Sequence, residues 1–462
     1  MRATVFVLVC VLGSPWAVGE VVTYSAPDGE ELSAEYRVWA DGKSVDVYMT
    51  RGADPAFVRG QRDYGGPCGF ASFDVDGPVE VRVTSATRSL RDVVIRPASA
   101  GAQMKLPDDR TLIVSLPGPR KISIEPDGKR GPLLLFANPI EKDVPKPDAQ
   151  RVIYFGPGVH KPGRIDLKSG QTLYLAGGAV VKGGVAVEGS HVRICGRGIL
   201  DGNDWPHGKG PTPNMIGIRG TDVELSGITI RGSSRWTVVL RGSRRVTVRN
   251  LKICNSRVQN DDGINPCNSQ DVRITDCFIR SDDDCIAMKG MDFSAANSNV
   301  ERVTVENCIL WSDRARIFLL GHESRAQRMG DITLRNLDVV HYSMTPFLLE
   351  PGEEMLLENV TIEDVRLHGE GQRDLIRLRP VVNMYMRKKV PGSIRNVRFR
   401  NVVVTGSPGS YRVEIDGPDP QHNVRGVSFD ALTILGSPLT AQSPQLQVGE
   451  NAESICFGPE PE

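Results

Sequence analysis

The sequence predicts an all-β fold, a solenoid of stacked strands behind an N-terminal β-sandwich. Two observations carry the prediction. From about residue 190 one pattern returns, in "HVRICGRGIL", "DVELSGITI", "RVTVRNLKI", "DVRITDCFI", "RVTVENCIL", "DITLRNLDV", "NVTIEDVRL" and "NVRFRNVVV". Its first apolar residue falls at Val192, Val223, Val246, Val272, Val303, Ile332, Val360 and Val397, in steps of 23 to 37 residues. Steps of this size without helical periodicity mark β-coils, which cannot bury their inner faces alone and so stack. The second observation is composition: 48 glycines against 13 phenylalanines in 462 residues suit a turn-rich β architecture.

The elements follow in order. Residues 1–19 read as a secretory signal, with Arg2, the apolar run Thr4 to Leu12, and small residues Ala17 and Gly19 before the cleavage point. Residues 20–146 alternate in strands such as "SVDVYMT" and "VEVRVTS" without the coil period, and form the sandwich. "EKDVPKPDAQ" links it to the helical domain, residues 147–440, whose first coils are "VIYFGPGVH" and "LYLAGGAVVKGG". Residues 441–462, with "GSPLTAQSPQ" just before and into them and "FGPEPE" at the end, read as an exposed C-terminal tail. The export signal places the mature chain outside the cytoplasm, secreted or periplasmic, with no membrane association after signal removal. A formal net charge of zero gives no reason to invoke nucleic acid. A monomer is expected, and no cofactor.

The repeats also make columns. Asn250, Asp276, Asn307, Asn336, Asp364 and Asn401 recur at one bend, each followed by a core position: Leu251, Cys277, Cys308, Leu337, Val365 and Val402. Polar residues of this kind satisfy turn backbone. Stacked coils, about 4.8 Å apart, would bring Cys277 and Cys308 near disulfide distance. Packing in the core is the other reading of that column. No Cys or His spacing suggests a structural metal.

Two clusters carry the chemistry. "NDDGI" supplies Asp261 and Asp262, and "SDDDCIAMKG" supplies Asp282, Asp283 and Asp284. Allowing for a longer loop in the first coil, "DDGI" aligns with "DDCI", so Asp261 stacks on Asp283 and Asp262 on Asp284. Clustered carboxylates repel and raise one another's pKa. They are solvated turns, a calcium site built from several oxygens, or acid/base machinery. An inverting glycosidase needs a protonated carboxyl at the leaving oxygen and an opposed carboxylate on water, roughly 6.5–9.5 Å apart.

With "GRGILDGNDW" and "SSRWTVVL", these segments resemble the polygalacturonase family of glycoside hydrolases. The resemblance implies a right-handed parallel β-helix and an inverting mechanism. Asn260, Asp262 and Gly263 match its Asn-x-Asp-Gly, and Asp283, Asp284 and Cys285 its Asp-Asp-Cys. It implies Asp283 as general acid, with Asp262 and Asp284 as the pair that holds and deprotonates water. The added sandwich is similar to the layout of the dextranase and isopullulanase family.

The sequence departs from the pattern on the next coils. Aligning Ile286 with Ile317 in "SDRARIFLLGHES" sets Arg314 and Ala315 where the aspartates sit, so the family's Gly-His-Gly is missing. His322 follows one strand later, reaching the cleft from another wall or capping a turn. In "HYSMTPFLLEP", Phe347 to Glu350 occupy the place of the family's Arg-Ile-Lys. Glu350 would repel a carboxylate there, while Arg377 and Arg379 stand a coil further on. The expected substrate-binding set is Asn260, Asp261, Lys289, Arg314, Arg316, His322, Glu350 and Arg377. The expected function is an exported inverting glycoside hydrolase on a polysaccharide or oligosaccharide other than simple polygalacturonate. A polysaccharide lyase and a non-catalytic glycan-binding solenoid are the alternatives.

Overall fold

The computed structural model describes residues 19–52, 66–291 and 298–458. The apolar leader and the last residues, 459–462, lie outside the described residues. Near the N-terminus, strands alternate one side in and one side out. In Val79–Ser85, Val79, Val81 and Val83 are buried while Glu80 and Arg82 face out. That alternation makes two sheets with one apolar face each. One orders Val21–Thr23, Gly69–Val75, Leu133–Pro139, Arg120–Glu125 and Val94–Arg96, with Val47–Met49 added beside Gly69–Val75. The other orders Lys43–Val45, Tyr36–Ala40, Val79–Ser85, Thr111–Leu116 and Gln103–Asp108. A shared core joins them, with Val38, Phe73, Val81, Leu112, Ile122 and Leu135 buried in it.

From Val152–Phe155 onward, 29 strands run in one stacked series, the right-handed parallel β-helix that the repeats predict. All eight repeat anchors pair in register: Val192 with Val223, then Val246, Val272, Val303, Ile332, Val360 and Val397. Their side chains fill one continuous core along the helix axis. The segment read as an exposed tail has no buried residue among those described, yet it carries two strands. Leu446–Val448 pairs with Arg412–Ile415, and Ala452–Phe457 with Val424–Ile434. Ile455 and Phe457 pack on the core, and Phe457 stacks on Phe429 at 5.6 Å. Two apolar residues amid Gln, Pro and Gly were too weak a signal for a strand.

The bend column is left-handed. Asn250, Asp276, Asn307, Asn336, Asp364 and Asn401 have φ between 48° and 56°, a region Asn and Asp tolerate better than most side chains. Their side chains also bond along the stack: Asn336 Nδ2 donates to Asn307 Oδ1 at 2.7 Å, and Asn401 Nδ2 to Asp364 Oδ1 at 2.7 Å. A second such column, unforeseen, starts at His191, Asp222, Arg245, Asp271 and Arg302. There charge alternates, with Arg245 on Asp222 at 2.7 Å and Arg302 on Asp271 at 2.6 Å. Cys277 and Cys308 are free thiols in the core, so the packing reading of that column holds, and no disulfide forms among the described cysteines.

The sandwich lies along the helix. Tyr48, Phe70 and Phe136 pack against Val180, Ile199, Cys254, Phe278, Trp311 and Val340, one apolar seam across successive coils. Buried ion pairs pin it: Arg197 to Asp74 at 2.7 Å and Arg231 to Glu30 at 2.5 Å.

Candidate active site

The strands Val238–Arg241, Ile264–Cys267, Ile286–Met288, Phe318–Leu320, Phe347–Leu349 and Asp374–Leu378 stack as one face of the helix. Both aspartate clusters sit in the turns that enter this face. Ile264 pairs with Ile286, so the same offset sets Asp262 beside Asp284 and Asp261 beside Asp283, as the alignment predicts. Gly263 is the residue that permits the approach. A Cβ there would lie 2.5 Å from the Cys285 carbonyl oxygen.

The neighbouring coil is shifted by one residue from the expected alignment. Ile286 pairs with Phe318, not Ile317. Two adjacent apolar residues compete for the core position, and Phe318 takes it by stacking on Phe347 at 5.9 Å. Arg316 therefore stands beside Asp284, and Arg314 beside Asp282.

Asp262 is buried. Its Oδ2 accepts from Asn265 Nδ2 at 3.1 Å and from Lys289 Nζ at 3.3 Å. Burial raises its pKa to about 6, with Asp283 adding to the rise and Lys289 and Asn265 opposing it. Asp284, also buried, accepts from the Arg316 backbone N–H at 3.1 Å and lies 3.5 Å from its guanidinium. Burial, then Asp283, raises it to about 8 against the pull of Arg316. Asp283 is the more open carboxylate of the three. Its Oδ1 accepts from the Asp284 N–H at 3.0 Å and its Oδ2 from Asn260 Nδ2 at 3.3 Å. Ser281 and Ser312 hydroxyls fix its carbonyl at 2.8 and 2.9 Å. Lys289 completes the group. It is 3% exposed, 2.9 Å from Glu323 Oε2, and its Nζ lies 4.0 Å from the Trp236 ring centroid.

Several expected substrate contacts are spoken for within the chain. Asp261 is fully buried and takes four backbone N–H groups, from Ser256 at 3.1 Å, Arg257 at 3.2 Å, Asp282 at 2.6 Å and Asp283 at 3.4 Å. It ties two turns together and does not face the cleft. Arg314 grips Asp282 through Nε and Nη2. Burial lifts the Asp282 carboxyl to about 7 even so. His322 Nδ1 bonds Glu350 Oε2 at 2.6 Å. Burial pushes Glu350 up, but His322 and Arg377 outweigh it and hold it below the ordinary carboxylate value. Arg377 donates to Glu414 at 2.9 Å and lies 3.6 Å from Glu350, and Arg379 donates to Glu414 at 3.0 Å. These arginines answer glutamates of the same face. Asn260, Lys289 and Arg316 are the expected binding residues that do meet the aspartates.

Sequence reasoning missed Asn265, Trp236 and Glu323. Asn265 carried a signal, since it follows the core residue Ile264 on a strand and so points away from the helix core. Trp236 stands in a quoted motif, but only the pairing of Val238 with Ile264 brings it over Lys289.

The comparisons with known proteins agree with this frame. Residues 176–308 match the family model of glycosyl hydrolases family 28. A probable polygalacturonase of Vitis vinifera is 39% identical over 69 residues, 15% of this chain and 14% of that one. Among solved structures, Dex49A from Penicillium minioluteum superposes with a TM-score of 0.73 at 18% identity, covering 95% of this chain and 96% of that one. A family 28 exopolygalacturonase of Yersinia enterocolitica superposes at 0.54 with 14% identity, again over 95% and 96%. At such identities the structural likeness speaks for the fold, and the family-model match includes the coils that hold the aspartates. Residues 176–308, the segment similar to glycosyl hydrolases family 28, thus contain both Asn260–Gly263 and Asp282–Cys285.

Proposed function

We propose that this protein is an exported, inverting glycoside hydrolase that cleaves a polysaccharide or oligosaccharide other than simple polygalacturonate. The observation that carries the reading is the stacking of Asp262 on Asp284 with Asp283 beside them, under two cations, Lys289 and Arg316. Asp262 and Asp284 do not ionise independently of their neighbours. Asp283, the open one, gives its proton to the leaving glycosidic oxygen as the bond to the anomeric carbon breaks. Asp262 and Asp284 hold a water on the opposite face of the sugar. Asp262, whose charge Lys289 favours, takes the proton as the oxygen attacks. The product then carries the anomeric configuration opposite to that of the cleaved bond.

The substrate class rests on charge. Glu350 stands on the face where a uronate carboxylate would need a cation, and Arg377 and Arg379 are matched to Glu350 and Glu414. Export rests on the apolar run Thr4 to Leu12 behind Arg2.

The test is a panel of plant, algal and microbial glycans with product analysis. Proton NMR immediately after mixing reads the first anomer before mutarotation. Inversion is expected, with little release from polygalacturonate. An initial product of retained configuration rejects the mechanism, and an unsaturated product absorbing in the ultraviolet makes the chain a lyase. Robust release of galacturonate oligomers rejects the substrate class.

A further inference from the structure

Two arginines stand side by side on the aspartate face, upstream of the aspartates. Strand register builds one column across it. Glu188 pairs with Arg219, Ile218 with Leu240, and Arg241 with Cys267. Arg219 and Arg241 therefore stand opposite each other on adjacent coils. The column continues through the bridge from Cys267 to Lys289. With Met288 on Leu320 and Leu320 on Leu349, it runs on past Gly321 to Glu350. Upstream of the aspartates the column thus holds Glu188, Arg219 and Arg241, and downstream the same register sets Glu350 beside Arg379 and Arg379 beside Asp416.

Like charges directly opposite on neighbouring strands cost stability. Arg219 is exposed and Arg241 is half-buried. Burial, with Arg219 and Arg235 nearby, presses the Arg241 guanidinium below its ordinary value, although Cys267 pulls the other way. Asn214 Oδ1, a neutral acceptor, bonds Arg241 Nη2. A cavity of about 150 Å³ opens beside these residues, with Thr212, Asn214, Gly217, Arg219 and Arg241 in its wall. Glu188, in the same wall, lies 3.9 Å from Arg219, and Arg164, also in the wall, lies 2.8 Å from Asp166. Both pairs are about half exposed, where solvent screens such contacts. Adjacent coils lie about 4.8 Å apart, which puts Arg241 roughly 10 Å along the column from Lys289. That is the scale of one or two sugar units.

We propose that Arg219 and Arg241 form a subsite for an acidic group on the glycan, a sulfate ester or a carboxylate, one to two coils before the aspartates. The sugar units at and beyond the aspartates, where Glu323, Glu350 and Glu414 answer Lys289, Arg377 and Arg379, are neutral. The preferred substrate is therefore a glycan with acidic groups on some units only. This deepens the hydrolase reading and rests on it for the location of the cleaved bond.

Equilibrium binding tests it without turnover. Isothermal titration of the Asp283→Asn protein takes three probes: a sulfated κ-carrageenan hexasaccharide, hexagalacturonate, and neutral isomaltohexaose. At least one acidic probe is expected to bind about tenfold more tightly than the neutral one, the worth of one charge-assisted contact. Adding Arg219→Gln or Arg241→Gln should erase that preference, as should raising NaCl from about 50 to about 300 mM. Arg219 is exposed, so its variant reports even if the Arg241 variant folds poorly. Which acidic probe wins separates sulfate from carboxylate. Absence of any preference for either acidic probe overturns the proposal, and so does a preference that survives both substitutions. Failure of the hydrolase reading shows elsewhere, as wild-type protein that releases no product while the binding preference stands.

Discussion

Asp283 is the carboxylate the turn leaves open, while Asp262 and Asp284 are buried beside it. In the proposed reaction an amide at position 283 keeps the shape but has no proton to give. Asp283→Asn should lower kcat by about 10²–10⁴-fold with an unchanged melting temperature, a fall of the size general acids contribute. Turnover within a few-fold of wild type would remove Asp283 from that role. Lys289 acts through Asp262. Removing its charge leaves burial and Asp283 to raise the carboxyl further above about 6. The base must be ionised, so the acidic limb of kcat/KM against pH should move to higher pH in Lys289→Met. A uniformly lower profile with an unmoved limb would make Lys289 structural only. The sequence told which aspartates gather, since "DDGI" and "DDCI" align on one core isoleucine. It did not tell that Asp261 turns inward onto four amides while its neighbour Asp262 turns to the cleft. Adjacent residues differ there only in which way a loop bends.

At the scale of the strand and turn, the repeat was legible because each coil must present an apolar residue to the same core. The eight anchors pair without a slip. Where a coil offered two candidates, as at Ile317 and Phe318, the period could not choose, and aromatic stacking did. The last strands were missed for the same reason in reverse, since few apolar residues mark them. The bend column gives a direct check. Asn307 has φ of 54° and accepts from Asn336. Asn307→Ala should destabilise the protein by about 1 kcal/mol, the cost of holding a Cβ in that region without a polar side chain. Asn307→Gly should cost less. Urea unfolding of the two variants reads the order, and an Ala variant as stable as wild type would deny the bend any strain.

Across the whole molecule, the two-part layout could be read from where the coil period begins, but the contact between the parts could not. One joint is titratable. His341, buried in the helix, bonds Glu125 of the sandwich at 3.0 Å and Glu370 at 2.7 Å, with the Trp311 ring 4.2 Å away. Arg96 pairs with Glu125 and also meets His368, and Lys129 pairs with Glu370. Burial pulls the His341 pKa down, but the two glutamates outweigh it and raise it. Its contribution is therefore full below about pH 6.5 and fades as pH climbs through the raised value. Burial pushes Glu370 up, but His341 and Lys129 hold it down at about 2. That contribution is present above about pH 4.3 and fades as pH falls toward about 2. The joint is strongest between those limits. His341→Asn should lower stability by about 3 kcal/mol near pH 5.5, as when one partner leaves a buried ion pair, and by less near pH 9. An equal loss at both values would mean that packing on Trp311, not charge, is what His341 supplies.

The apolar seam between sandwich and helix has a consequence for cooperativity. In a solenoid each coil touches only its neighbours, so any stretch can open by itself. The sandwich acts as a splint from Val180 to Val340, with Lys129 reaching Glu370, and coils under a splint open together or not at all. Among the described residues, coils beyond Asp374–Leu378 lean on one another and on the Phe399, Phe429 and Phe457 stack. Amide hydrogen exchange should therefore divide the helix in two: slow, concerted protection through the aspartate coils, and faster, graded exchange in Arg412–Ile415 and the strands after it. The aspartates would sit in the half that breathes least, so the sandwich would serve the proposed reaction by keeping their coils from parting.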